Sequence, residues 1–141
     1  MANYYGFTRT NYFEVKDEQK FRQVIDACET GEDNIEIWET TEGNHTLFAF
    51  GCYSSLSGLP CEDEDDCECD LDAFHDALRQ IVADGQAIII TEIGYENLRY
   101  LVGDCTVITS QEISYMNLRD LGLKKAQELL KDPQYQPSLE Y

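Results

Sequence analysis

The stretch Phe7-Thr8-Arg9-Thr10-Asn11-Tyr12-Phe13-Glu14-Val15 repeats every second residue, and the chain then changes period, with Asp17 followed by Phe21, Val24, Ile25 and Cys28. That change decides the fold class. Alternation rich in aromatic and β-branched residues predicts a strand over 7–15. Asp17 is an N-cap for a helix over 18–28, which Gly31 ends. Period two places Phe7, Arg9, Asn11, Phe13 and Val15 on one face and Thr8, Thr10, Tyr12 and Glu14 on the other. Arg9 and Asn11 then share a face with two phenylalanines. Either they are buried and paired, with Glu92 or Glu96 as the carboxylate, or this end of the strand leaves the core.

The same alternation of patterns continues downstream. Residues 35–40 and 45–50 read as a hairpin around Thr41-Glu42-Gly43-Asn44, with Ile35 and Ile37 inward and Glu36, Trp38 and Thr40 outward. A loop is predicted from Gly51 to about Cys69. Asp70 caps a second helix over 71–83, striped by Leu71, Phe74, Leu78, Ile81 and Val82, and Gly85 follows its end. Residues 87–93 form an apolar strand placed centrally in the sheet. Gly94-Tyr95-Glu96-Asn97 turns the chain into 98–102, and Gly103-Asp104 is a bulge or tight turn before 105–109. A last helix covers 118–130, stopped by Pro133. The order β-α-β-β-α-β-β-(β)-α predicts a single α+β domain over 1–141. Its first six elements follow the split β-α-β pattern of ferredoxin-like folds, with helices on one face and extra C-terminal strands and a helix. Many functions share that arrangement.

Composition narrows the class. The chain has 141 residues, 43% of them apolar, which suits one core and excludes wholesale disorder. It carries 28 acids and 10 bases, a net charge of −18, weighted toward the first half. Such a field repels phosphate backbones and anionic membranes and attracts basic surfaces. The expected partner is therefore a basic surface on another protein, with no direct nucleic acid and no membrane. A second expected partner is a further copy of the chain, joined through a sheet edge. The opening Met1-Ala2-Asn3-Tyr4-Tyr5 has neither a basic region nor an apolar run, so a cytoplasmic location and reduced thiols are expected.

Three features bear on chemistry. Cys61-Glu62-Asp63-Glu64-Asp65-Asp66-Cys67-Glu68-Cys69-Asp70 holds seven acids in ten residues. Cys52, Cys61, Cys67 and Cys69 are a candidate zinc set, although Cys67-x-Cys69 is tighter than the usual ligand spacing. The acids do not follow a calcium-loop pattern. The alternatives are a solvated acidic loop and a partner-facing acidic patch. Arg9, Asn11, Glu92, Tyr95 and Arg99 form a candidate pocket, the only place where an enzymatic reading attaches. Trp38, the sole tryptophan, is either a candidate interface anchor within an acidic rim of Glu36, Glu39 and Glu42 or half-buried under a helix or the acidic loop. No nucleophile elbow, P-loop or dinucleotide fingerprint is present, so no catalytic residue and no cofactor is assigned.

The opening 2–13, the segment Thr91-Glu92-Ile93-Gly94-Tyr95-Glu96-Asn97-Leu98-Arg99-Tyr100 and the closing Leu139-Glu140-Tyr141 resemble a group of small acidic proteins from phages and conjugative elements of gut Firmicutes. The resemblance implies an accessory role during transfer or infection. Acidic proteins in that setting are often anti-restriction or anti-CRISPR factors, and some imitate DNA. The group supplies no catalytic residues, and the cysteine-rich loop departs from its pattern. The functional expectation is thus a non-enzymatic inhibitor of a host nucleic-acid-binding defence protein. Carboxylates would stand in for phosphates there, with Glu36, Glu39, Glu42, Glu62, Asp63, Glu64, Asp65, Asp66, Asp72 and Asp76 as the candidates. A metal-binding module built on the cysteine loop is the alternative.

Overall fold

The computed structural model describes residues 4–31, 34–61, 69–96 and 100–137. Strand β1 (Tyr4–Thr10) leads to helix α1 (Glu18–Ala27), the short β2 (Glu29–Thr30), the hairpin β3 (Glu36–Glu42) and β4 (His45–Tyr53), and β5 (Leu56–Gly58). Helix α2 (Leu71–Ile81), strands β6 (Ile88–Glu96), β7 (Tyr100–Ile108) and β8 (Ile113–Asn117), and helix α3 (Leu118–Leu130) complete the order. The class is α+β. Six strands form one sheet in the order β3-β4-β1-β6-β7-β8, every neighbouring pair antiparallel, and β2 pairs with β5 in a second, two-stranded sheet.

The helices form where their caps and stripes require. The Asp17 side chain accepts the Lys20 N–H at 3.2 Å, and the Asp70 side chain accepts that of Ala73 at 3.0 Å. Asn117 does the same for Asp120 at 2.8 Å, and Lys131 ends α3 in the left-handed conformation. Helix α1 buries Phe21 and Ile25, and α2 buries Phe74, Leu78 and Ile81. Both stripes pack on one face of the sheet, against Phe48, Phe50 and Cys52 of β4, Ile88 and Ile90 of β6, and Ile108 of β7. The centre is aromatic: Phe50 lies with its ring 6.1 Å from those of both Phe13 and Phe74 and 6.2 Å from that of Phe21.

Four sequence expectations are corrected. The first strand is not one unbroken ribbon to Val15. It ends at Thr10, and Phe13 rejoins the sheet through a pair of 2.8 Å hydrogen bonds with Phe48. Asn11 and Tyr12 between them shift the parity by one, so Thr8 and Thr10 face the helices while Phe7 faces away. The Asn11 side chain replaces the missing ladder by accepting the Ile89 N–H at 2.7 Å and donating to the Ala87 carbonyl at 3.0 Å. Helix α1 stops at Ala27, before Gly31, because Glu29 and Thr30 are drawn into β2. The expected loop after Gly51 begins with regular structure: β4 runs to Tyr53, β5 follows, and Leu59 bridges to Asp70. Gly103 and Asp104 lie within a continuous β7, and the strand after it is β8.

Candidate interaction surface

Strand alternation sorts every side chain of the large sheet onto one of two faces, and the register shows which residues meet. Opposite the helices, Phe7 lies between Tyr53 of β4 and Ile93 of β6, Tyr5 lies opposite Tyr95, and Tyr95 opposite Leu101. The Tyr5 and Tyr95 rings are 5.8 Å apart, and those of Phe7 and Tyr53 meet edge-on at 5.4 Å. These six side chains are between 51% and 61% exposed. Leu118 of α3 lies over Gly103 on this face and is itself largely exposed. Helix α3 contributes no buried residue to the fold.

Charge is segregated with the same parity. Glu92, Glu96 and Asp104, the acids of β6 and β7, all point to the helix side. On the uncovered face, the described positions of β1, β4, β6, β7 and β8 carry no acid, one arginine, Arg9, and one histidine, His45 at the end of β4. Among the described residues, the edge strand β3 presents Glu36 and Glu42 there, and the Glu14 carboxylate bonds His45 at 3.0 Å at the same end. In a chain of net charge −18, that is a selective exclusion.

At the β3 end the face folds into a cleft of about 530 Å³, lined by Phe7, Arg9, Glu36, Trp38 and Tyr53 among others. The Arg9 guanidinium sits 4.5 Å from the centroid of Trp38, a cation–π contact. The indole ring reaches over Gly51, where a Cβ would come within 3.1 Å of it, and Trp38 has only the small Ala49 opposite it in the register. No ion pair holds Arg9 among the described residues, and its side chain lines the cleft. Comparison with family models, with curated proteins and with solved structures finds no match.

Several expected groupings come apart. Arg9 and Glu92 do not share a pocket, since Arg9 lies on the uncovered face and Glu92 on the other. Tyr95 belongs to the aromatic face, Asn11 serves the backbone of β6, and Arg99 lies outside the described residues. The acidic rim is also divided. Glu36, Trp38 and Glu42 share the uncovered face, but Glu39 points to the opposite side. Asp72 and Asp76 stand on α2 in the helix layer, where Asp76 is held by Arg79 at 2.7 Å and by Gln80 at 2.9 Å. The Arg79 bond, with that of Gln80, keeps the Asp76 carboxyl below its ordinary range. The acids 62–66 and Cys67 lie outside the described residues. Of the remaining candidate thiols, Cys52 is buried in the core, Cys61 is exposed, and Cys69 donates to the Glu29 carboxylate at 2.9 Å. Among the described residues, no group of three or more His, Cys, Asp and Glu is arranged to hold a metal ion. No described helix is long and apolar enough to cross a membrane.

Glu92 has a different part from the one expected. It lies opposite Asp104 and accepts the Tyr4 hydroxyl at 2.6 Å, and the Tyr4 ring lies over Gly6 and Gly94, where any Cβ would meet it. Burial, with the nearby Asp104 charge, raises the Glu92 carboxyl, while the Tyr4 bond opposes the rise. A carboxyl raised in the fold contributes stability that is full below its unfolded value, near 4.5, and is lost as pH rises through the folded one. Glu92→Gln is therefore expected to melt higher than the parent chain at pH 7, with the gap closing as pH falls toward 4.5. Paired thermal melts across that range test it; a gap that widens in acid sinks the assignment.

Sequence patterning contained a sign of the uncovered face. Strand β6 opens Ile88-Ile89-Ile90, apolar at both parities, the pattern of a strand that has cover on both sides. Only two helices carry strongly apolar stripes, and both are spent on one side.

Proposed function

We propose that the chain is a non-enzymatic interaction protein whose contact surface is the uncovered face of its sheet. The observation that carries this reading is the acid-free row of half-exposed aromatic and aliphatic side chains in a protein of net charge −18. Exposed apolar patches on ordinary monomers reach roughly 300–600 Å². Six side chains that are each a little over half exposed offer on the order of 700 Å². Central aromatics flanked by a stacked Arg–Trp pair have the composition of an interface hot spot.

A narrower reading concerns the partner. The net charge, with Glu36 and Glu42 aligned beside Trp38, supports a basic contact at the β3 rim, and with it the expectation of an accessory protein from a mobile element that blocks a host nucleic-acid-binding protein. The two readings separate by salt. Proteins captured through the apolar face should survive a rise from about 0.1 M to about 0.5 M salt and be lost to Ile93→Glu, whereas capture through phosphate-like carboxylates should be stripped by the salt and tolerate that variant. A captured set that responds to neither change would remove both.

The scaffold reading belongs here too. The order β3-β4-β1-β6, with α1 after β1 and α2 between β4 and β6, supports a split β-α-β unit of ferredoxin-like type extended by β7, β8 and α3.

A further inference from the structure

We infer that the occupant of the uncovered face is a second copy of this chain, with two sheets stacked face to face about a two-fold axis. This rests on the proposal that the face is the contact surface, and it names the partner. It differs from pairing through an edge strand, β3 or β8.

Area supports it first. The aromatic row offers on the order of 700 Å² before Leu118 and Met116 at its β8 end are added, close to the roughly 800 Å² per partner that a stable interface buries. Sheets packed in this way interleave their inner-face side chains about 10 Å apart, and a two-fold axis lets one patch complement itself.

Charge then chooses among occupants. A partner drawn by a net charge of −18 would be basic and would need carboxylates at the contact. The middle of this face has none. Two copies of so acidic a chain repel on every approach that brings acids together. The one side they can bring into contact at little electrostatic cost is the side from which β6 and β7 turn Glu92, Glu96 and Asp104 away. An acid-free face is what an acidic partner needs, and the nearest acidic partner is the chain itself. The closed pair would turn both helix layers, with Glu92, Glu96 and Asp104, outward into solvent and leave Glu36 and Glu42 at the edge of the contact, on the rim strand β3.

The salt dependence follows with an unusual sign. Screening weakens the repulsion between copies, so self-association should tighten as salt rises, opposite to the binding of a basic partner. Sedimentation equilibrium of the intact chain at about 0.05 M and about 0.5 M sodium chloride is the test. The expected result is a dimer whose dissociation constant falls at least severalfold at the higher salt. Ile93→Glu, a surface change beside Phe7, is expected to leave the chain monomeric throughout and to share the parent's denaturation midpoint at concentrations low enough that the parent is monomeric too. A wild-type chain that stays monomeric at both salts, a dimer that loosens with salt, or a dimer that Ile93→Glu leaves intact would overturn the inference. The underlying proposal fails separately. A monomer whose capture of other proteins is abolished by Ile93→Glu retains this face as the contact surface and loses only the second copy, whereas indifference of both self-association and capture to that variant removes both.

Discussion

Phe50→Ala is expected to lower the unfolding free energy by about 3–5 kcal/mol, while Phe7→Ala, the same truncation on the other face of the sheet, should cost the monomer under about 0.5 kcal/mol. Phe50 has no solvent exposure, and the rings of Phe13, Phe21 and Phe74 lie within 6.2 Å of it. Truncating it opens a cavity where α1, α2 and β4 meet, and packed rings cannot collapse to fill it. Against a typical stability of about 5–15 kcal/mol for a domain, such a loss threatens folding at moderate temperature. Phe7 is 60% exposed and edge-on to Tyr53, so its removal forfeits one ring contact and little burial. Urea denaturation of both variants, at concentrations low enough to keep the chain monomeric, measures the contrast. Equal losses would mean that the two faces of the sheet are covered alike, and the assignment of an uncovered face would be wrong.

This contrast marks where the sequence was legible. Both phenylalanines sit in alternating stretches, and composition does not tell them apart. Two caps were legible: Asp17 and Asp70 each hold an N–H three residues on, and α3 runs over the expected 118–130, where the cap Asn117 was not singled out. Outward placement of Glu36 and Trp38 also followed from the hairpin pattern. Parity in β1 did not, because two residues, Asn11 and Tyr12, reverse the side on which everything before them points. A shift of that kind leaves no periodic trace, and here a single Asn side chain maintains it by bonding the backbone of β6. The error propagated to the site. With Arg9 placed among core phenylalanines, a carboxylate partner such as Glu92 was required; with Arg9 on the open face, Trp38 takes that place and the pocket dissolves. The pairing of β2 with β5 was hidden for another reason: strands of two and three residues are shorter than any pattern they might display.

Gly58→Ala is expected to cost about 3 kcal/mol, from about 1–3 kcal/mol of backbone strain together with about 1 kcal/mol of weakened helix capping. Gly58 has φ of 114°, a conformation that side chains rarely adopt. An added Cβ would stand 2.5 Å from the carbonyl group of Asp70 and the nitrogen of Leu71, which are backbone atoms that cannot rotate away. Yielding would draw Asp70 out of its bridge with Leu59, where hydrogen bonds of 2.7 and 3.1 Å close the base of the acidic segment, and out of its cap on α2. Cys28 reports the opening. Burial pushes its thiol up from 9.0 to about 11, so the thiolate fraction near pH 8 is about a hundredfold below that of a free thiol. In Gly58→Ala the β2–β5 clasp should open locally, and Cys28 should alkylate faster than in Phe50→Ala studied at matched residual stability, since a local opening exposes the thiol without global unfolding. An unchanged denaturation midpoint with Cys28 still protected would show that the clasp tolerates a side chain. The loss of midpoint with no extra alkylation would make Gly58 part of the one cooperative core instead of the fastening between Leu59 and Asp70.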